Sequence, residues 1–362
     1  MTETFNEADI RRVLAAYVDP QTGMAIGDCV SGVGIDGANV AVDILLGYPL
    51  GERRDALAAA LSEFLRDHID GLAQALINLN WRVRAHQVQD KLTPMAGIKN
   101  IIAVGSGKGG VGKSTVAANL ALALAALGAR VGVLDADIHG PSQPRMLGIS
   151  GQPDTTGDKM IVPMRAHGLQ AMSIGLLLGD KAPAIWRGPM VSQALQQLLT
   201  QTAWDALDYL IVDLPPGTGD IQLTMAQKVP VSAAVIVTTP QEVALQDARR
   251  AVMMFQRVGI TTLGVVENMS TYVCSQCGHE EPIFDQGGGQ RMATEFDLPL
   301  LGQLPLASAV RAGTDAGQPP ALAGADDPQA APFHALANRV AAALARQPLG
   351  VQSTGLKFSI NT

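Results

Sequence analysis

The stretch VGSGKGGVGKST, Val104 to Thr115, constrains the fold of this chain more than any other. It overlaps the end of the apolar run IIAVGS and leads into a helical pattern, so a strand ends and a helix begins around a glycine-rich loop. Gly107, Gly112, Lys113 and Ser114 satisfy G-x-x-x-x-G-K-[ST]. The glycines let backbone N–H groups turn toward phosphate oxygens, and a helix starting at Lys113 adds the positive end of its dipole. Lys113 supplies a point charge and Ser114 a hydroxyl for Mg2+. Gly107, Lys108, Gly109, Gly110, Val111, Gly112, Lys113, Ser114 and Thr115 are therefore the candidate nucleotide cradle. Two plainer readings compete. One is a glycine turn that only packs a strand on a helix. The other is a dinucleotide loop, since Gly105, Gly107 and Gly110 fit G-x-G-x-x-G and Asp135 stands where a ribose-binding acid would be, although such a loop has no use for Lys113 followed by Ser114.

From residue 101 onward the runs IIAVGS, RVGVLDAD, DYLIVDLPPG, AAVIVTTP, TTLGVVEN and LPLLGQLP alternate with amphipathic stretches. Near-continuous apolar strands between helices predict a parallel sheet covered on both faces, with ligands beyond the carboxyl ends of the strands. The expected class is α/β, a P-loop NTPase with a mainly parallel sheet flanked by helices. A small α+β domain precedes it: a helix over residues 6–17, a hairpin from SGVGID and VAVDILL around Gly37 to Asn39, a helix over 52–66, and NWRVRAHQV alternating like a strand. The pattern weakens near Pro94 and Gly97. The division expected is residues 1–90, a linker at 91–100, the ATPase domain at 101–346 and a loose tail at 347–362.

Composition limits the partners. With 26 basic and 33 acidic residues the net charge is -7, which gives no bulk reason to bind nucleic acid or an anionic membrane. The opening MTETFNEADIRRVL lacks the basic start and apolar run of a secretory signal, and no stretch reaches the roughly 18 apolar residues of a span. The expected setting is the cytoplasm. Three cysteines argue against a disulfide framework and leave Cys274 and Cys277 as a reduced pair able to bind metal or to work in redox.

Acids mark two further strand ends. Asp135 and Asp137 follow VGVL, and Asp213 follows YLIV. Asp213 is placed to hold the Mg2+ shell, and Asp135 or Asp137 to orient an attacking water. The plainer reading of any single one is a turn cap, which three together beside a phosphate loop make harder to sustain.

With its second lysine, Lys108, the loop GKGGVGKS resembles the deviant Walker A loop of the family that includes MinD, ParA and the nitrogenase iron protein. That resemblance implies that Lys108 reaches across a dimer to the partner's nucleotide and stabilises charge on the transferring phosphoryl group. A solvated lysine is the plainer reading. The segments DADIHGPSQPRMLG, IVDLPPGTGDIQLTMAQ, VVENMSTYVCSQCGH and IFDQGGGQRMA are similar to the Mrp/ApbC group of iron-sulfur cluster carrier ATPases over residues 97–320. The likeness implies ATP binding and hydrolysis, with Lys108, Lys113, Asp137 and Asp213 in the catalytic set. Asp137 would be the water-orienting acid, Asp213 the acid linked to Mg2+ through water, and Asn268 a contact for adenine. It also implies a cluster received from an assembly scaffold and passed to apo-proteins. Residues 6–90 resemble the small MIP18-related domain that often precedes this ATPase. LLGYPLGERR departs from that pattern: Tyr48 and Pro49 stand where relatives carry a cysteine, which puts a thiol role there in doubt. Cys29, in GDCVSG, reads as a small buried residue.

By spacing alone, Cys274 and Cys277 fit a redox pair, half a zinc site or half a cluster site, with His279 as a possible third ligand. Zinc and clusters both want about four ligands. Two chains about a two-fold axis would supply four thiolates for a bridged [4Fe-4S] cluster, in agreement with the dimer that Lys108 implies. Two other classes compete: a MinD- or ParA-like spatial organiser, and a zinc-stapled regulatory ATPase. The organiser would want a basic docking element, yet ANRVAAALARQPLG carries only Arg339 and Arg346. Trp186, Arg187 and Gly188 suit a dimer face or plain packing, His139 a loop hydrogen bond, and the glycines at 287–289 a tight helix start.

Overall fold

A computed structural model describes residues 5–90, 92–138, 140–178, 188–217 and 219–350. His139, Trp186 and Arg187 lie outside the described residues. The chain opens with α1 (Glu7–Ala16). Its capping box is complete: Asn6 Oδ1 accepts from the Ala8 and Asp9 N–H groups at 2.8 and 3.2 Å, while Asp9 Oδ2 accepts from Asn6 N–H at 3.1 Å. Strands β1 (Val30–Asp36) and β2 (Asn39–Leu46) form the expected hairpin. After α2 (Arg53–His68), strand β3 (Gln74–Trp81) returns parallel to β2 in a sheet ordered β1-β2-β3. Val40, Val42, Ile44 and Leu46 bury one face of β2, and Leu57, Leu61 and Leu65 of α2 close the same core.

The strand expected over NWRVRAHQV lies earlier. Its last ladder bond is Arg82 N–H to Leu46 carbonyl, 2.9 Å, because β2 ends at Leu46 and leaves residues beyond Trp81 no partner there. That segment finds its partner in the stretch expected to be loose. Gln87 N–H donates to the Pro348 carbonyl and Gly350 N–H to the Ala85 carbonyl, each at 3.0 Å, around an antiparallel His86–Leu349 bridge. Residues 347–350 are therefore held, a correction to a tail that runs free from Gln347; residues 351–362 lie outside the described residues.

The larger unit follows: β4 (Ile98–Gly105), α3 (Lys113–Ala126), β5 (Val131–Asp135), α4 (Gln143–Met146), β6 (Met164–Ala166), β7 (Leu169–Ser173), α5 (Ile174–Leu178), α6 (Gly188–Gln201), β8 (Leu207–Asp213), α7 (Asp220–Lys228), β9 (Ala233–Thr238), α8 (Glu242–Arg257), β10 (Thr262–Val273), β11 (Glu280–Glu281), α9 (Gly288–Glu295), β12 (Leu300–Leu306), α10 (Ser308–Asp315) and α11 (Ala331–Ala345). The sheet runs β11-β10-β9-β4-β8-β5-β7-β6, with β12 on β10. All its pairs are parallel except β6 with β7 and β11 with β10. The P-loop α/β class is as expected. Strand β4 sits centrally, with β8 and β9 beside it, which places the glycine loop at the carboxyl edge of the sheet. Gly287 caps α9 at φ +72°, the tight helix start expected there. No helix of the described residues is long and apolar enough to cross a membrane.

The two units share one apolar core that runs from Leu14 and Leu61 into α3 and α11. Gly51 N–H donates to the Leu127 carbonyl at 3.0 Å. Arg53 Nη2 pairs with Asp19 Oδ2 at 2.8 Å while its Nη1 donates to Asn338 Oδ1 of α11 at 2.9 Å.

Candidate functional site

Residues 106–112 connect β4 to α3. Gly110 and Gly112 both hold φ +81°, a left-handed conformation that favours glycine. Gly107 has no room for a side chain either, since a Cβ there would run into the α8 backbone at Asp247 and Ala248. No side chain caps α3 at Gly112, so its first N–H groups stay open to an anion. Above them lies a cavity of about 220 Å³. Lys108, Gly109, Gly110, Gly112, Lys113, Ser114 and Thr115 line it with Ser106; Asp137, Ser142 and Met146 come from the segment after β5, and Pro216 from the segment after β8. Gly107 and Val111 stand behind the wall. So does Asn268 of β10, whose Nδ2 donates to the Val111 carbonyl at 2.9 Å. One of its two amide N–H groups is thus committed to bracing the loop, which leaves the other N–H and Oδ1 for a ligand. The next residue, Met269, holds φ +56°, a bend in β10 that no sequence signal announced.

Strands β5 and β8 are neighbours, and Asp135 pairs in register with Asp213. The two carboxylates do different work. Asp213 is fully buried; Lys113 Nζ donates to its Oδ1 and Gln143 Nε2 to its Oδ2, the latter at 2.9 Å. Asp135 faces the following loop. It accepts the N–H groups of Asp137, Ser142 and Gln143 at 3.1, 2.9 and 3.0 Å and the Ser173 hydroxyl at 3.2 Å. Burial, then the adjacent Asp213, push its carboxyl up to about 7. Of the two acids the sequence offered for orienting water, Asp137 is the one that lines the cavity, and Asp135 fixes the loop that carries it.

The site suits a phosphate chain with a hard cation. Ser114 Oγ lies 3.3 Å from Lys113 Nζ, and Gln143 Nε2 also donates to the Ser114 carbonyl at 2.9 Å, so a hydroxyl and a carboxylate are held on one patch of oxygen donors that fits Mg2+. Gln143, Ser142, Met146 and Pro216 went unnoticed in the sequence; for the first three the signal was present in PSQPRML, where a proline near the start of a short helix follows an acid, and for Pro216 in the prolines that follow Asp213.

The cysteines sit at the far end of β10. Cys274 N–H donates to the His279 carbonyl and Gly278 N–H to the Cys274 carbonyl, each at 2.9 Å, closing a tight turn before β11. Cys274 is half-buried and Cys277 exposed. The N–H groups of Gln276 and Cys277, with the Cys277 thiol, hold the Cys274 thiol below its ordinary range. Among the described residues no group of three or more His, Cys, Asp or Glu is gathered at one point, so His279 joins no such cluster here. Cys29 is half-buried rather than enclosed; burial, then Asp28, push its thiol up.

A family model described as NUBPL iron-transfer P-loop NTPase matches residues 97–341, and one described as iron-sulfur cluster assembly protein matches residues 7–78. An iron-sulfur cluster carrier protein of Pseudomonas fragi is 54% identical over 272 residues, 75% of this chain and 95% of that one. One of Synechocystis sp. is 41% identical over 343 residues, 91% of this chain and 95% of that one. The iron-sulfur cluster transfer protein NUBPL of Mus musculus is 44% identical over 260 residues, 71% and 82%. Among solved structures, a nucleotide-binding protein of Archaeoglobus fulgidus in complex with ADP superposes with TM-score 0.56 at 37% identity, covering 61% of this chain and 88% of that one. The Pyrococcus furiosus cell division ATPase MinD, at 23% identity and TM-score 0.51 over 67% and 98%, shares the fold.

Proposed function

Because the chain belongs to the family of NUBPL iron-transfer P-loop NTPases, we propose that it binds and hydrolyses ATP with Mg2+ and carries a [4Fe-4S] cluster, held between two copies, to apo-proteins in the cytoplasm. The supporting observation is the span of β10: Asn268 braces the phosphate loop, and the same strand ends at Val273, immediately before the turn that holds Cys274 and Cys277. Phosphate loop and thiols are thereby joined through one strand.

Lys113, now on Asp213, would pair with the nucleotide phosphates, and the Asp213 oxygen it frees would be available to hold the metal through water. Ser114 would hold Mg2+, which would supply charge neutralisation on the phosphates. Asp137 orients the attacking water, while the partner's P-loop supplies the second lysine, equivalent to Lys108. Two thiolates per copy make four at the two-fold axis, the number a cluster needs. A cluster held half by each copy is released when their geometry shifts, so hydrolysis and delivery to the recipient are coupled; an assembly scaffold loads it again.

The test is metal content after oxygen-free purification and cluster reconstitution, beside Cys274→Ala/Cys277→Ala. About four iron and four sulfide per dimer, absent from the variant, is the expected result. Zinc in the same cysteine-dependent site would replace the carrier reading with a metal-stapled ATPase.

A further inference from the structure

Gln143 occupies a position that the catalytic set above does not use. It is 1% exposed and touches two residues that line the cavity, Ser114 through a hydrogen bond and Ser142 as its neighbour in the chain. Its Nε2 donates to two acceptors at once, the Ser114 carbonyl and Asp213 Oδ2, both at 2.9 Å. Since neither acceptor can donate, the orientation of the amide is fixed. Its backbone N–H is bound to Asp135. One residue therefore joins the phosphate loop, the acid that ends β8 and the loop bearing Asp137. Its Oε1 is left buried with no protein partner, and so is Ser142 Oγ beside it. Buried orphan acceptors are rare because each forfeits a hydrogen bond to water. An orphan acceptor on the side chain that bridges Ser114 and Asp213 calls for a donor that arrives with the ligand.

We propose that Gln143 is a positioning residue for the metal: its amide N–H groups clamp Asp213 to the Ser114 carbonyl, and its Oε1 accepts from a water of the Mg2+ shell. The proposal rests on the Mg2+–nucleotide reading above. While Lys113 moves from Asp213 to phosphate, Gln143 keeps the carboxylate aimed, so the gain in nucleotide affinity on adding Mg2+ runs through this side chain.

The experiment titrates a fluorescent ADP analogue into the full-length protein with Mg2+ and again with EDTA, for wild type, Gln143→Leu and Gln143→Glu, with thermal melting to check folding. The readout is the ratio of the two affinities. Losing a hydrogen bond to a metal-polarised water lowers that ratio about tenfold in Gln143→Leu. Gln143→Glu keeps the acceptor and repels Asp213 until a cation arrives, so its ratio rises above wild type. A purely structural cross-link would weaken binding equally in both media and leave the three ratios alike, which overturns the proposal. Wild type that binds equally well in both media also overturns it, whereas wild type that binds nucleotide in neither sinks the underlying reading as well.

Discussion

Lys113 and Asp213 are a pair of opposite charges taken almost completely out of water, with side-chain exposures of 6% and 0%. Removing one member of such a pair leaves a buried charge without compensation, at about 3–5 kcal/mol. Lys113→Met is accordingly expected to unfold at lower urea in the nucleotide-free state by that amount, and Asp213→Asn added to it to restore most of the loss. Denaturation of the two single variants and the double variant checks this; additive losses would mean that the pair is not coupled. Both lysine variants lose nucleotide binding. At this scale the sequence separates types of residue better than tasks. Lys113, Ser114 and Asp213 could be read because loop and strand end fix where they point. Spacing alone did not tell Asp135 from Asp137, and only the family likeness favoured Asp137, since the outcome turns on which carboxylate the loop folds back upon, and that loop is closed by hydrogen bonds to Asp135 from residues as far along as Gln143.

The sheet is registered at its other edge by one acid. Asp208, on β8, accepts Lys99 Nζ from β4 at 2.7 Å and the N–H of Arg130, just before β5, at 2.9 Å. Burial alone would raise its carboxyl, but the Lys99 ammonium and the Arg130 N–H and guanidinium outweigh burial and hold it below its ordinary value. A depressed carboxyl contributes stability above its unfolded value of about 3.9 and loses it as pH falls through the lower folded value. Asp208→Asn should therefore cost about 1.5–3 kcal/mol at pH 7, and the gap to wild type should narrow as pH drops below about 4; a gap constant with pH would exclude a charge role. Helix α8 sets the second constraint. Gly107→Ala forces the phosphate loop and the Asp247–Ala248 backbone apart, an overpacking of about 1–3 kcal/mol seen as a lower melting temperature together with weaker nucleotide binding. Gly157→Ala, with open space around the new methyl, serves as control and should leave both unchanged. Elements were legible where burial made them uniform: β4, β8 and β9 are apolar runs because helices cover both faces. Strands β6 and β7 were missed because a pair of short strands joined by the turn at His167 and Gly168 carries no long period. The strand at Gln74–Trp81 was placed too late because Leu76 is exposed on it, which spoils the alternation that NWRVRAHQV happens to keep.

The whole molecule behaves as one body in its packing. The end of α3, the helix that begins at the phosphate loop, meets the smaller unit: Gly51 bonds Leu127, and the Trp81 ring lies 3.4 Å from where a Gly128 Cβ would stand. Asn119 of the same helix accepts from Ala321 N–H at 3.0 Å, and Arg53 reaches Asn338 of α11. A single sheared boundary would expose apolar surface on both sides, so scanning calorimetry of the full chain should show one cooperative transition, with calorimetric and van't Hoff enthalpies in agreement. Arg53→Ala tests the joint without removing either unit: it leaves Asp19, whose side chain is 2% exposed, buried without its counter-charge, a loss of about 3–5 kcal/mol. If the units are thermodynamically one, that loss lowers the single transition, and the midpoint at which the phosphate-loop domain unfolds moves with it. If they are two, the variant splits the trace, the smaller unit melting first while the nucleotide-binding domain keeps its wild-type midpoint. Added nucleotide sharpens the distinction, because a ligand that binds only the folded P-loop raises every transition that includes it: one body shifts entire, whereas a separable first unit stays where it was.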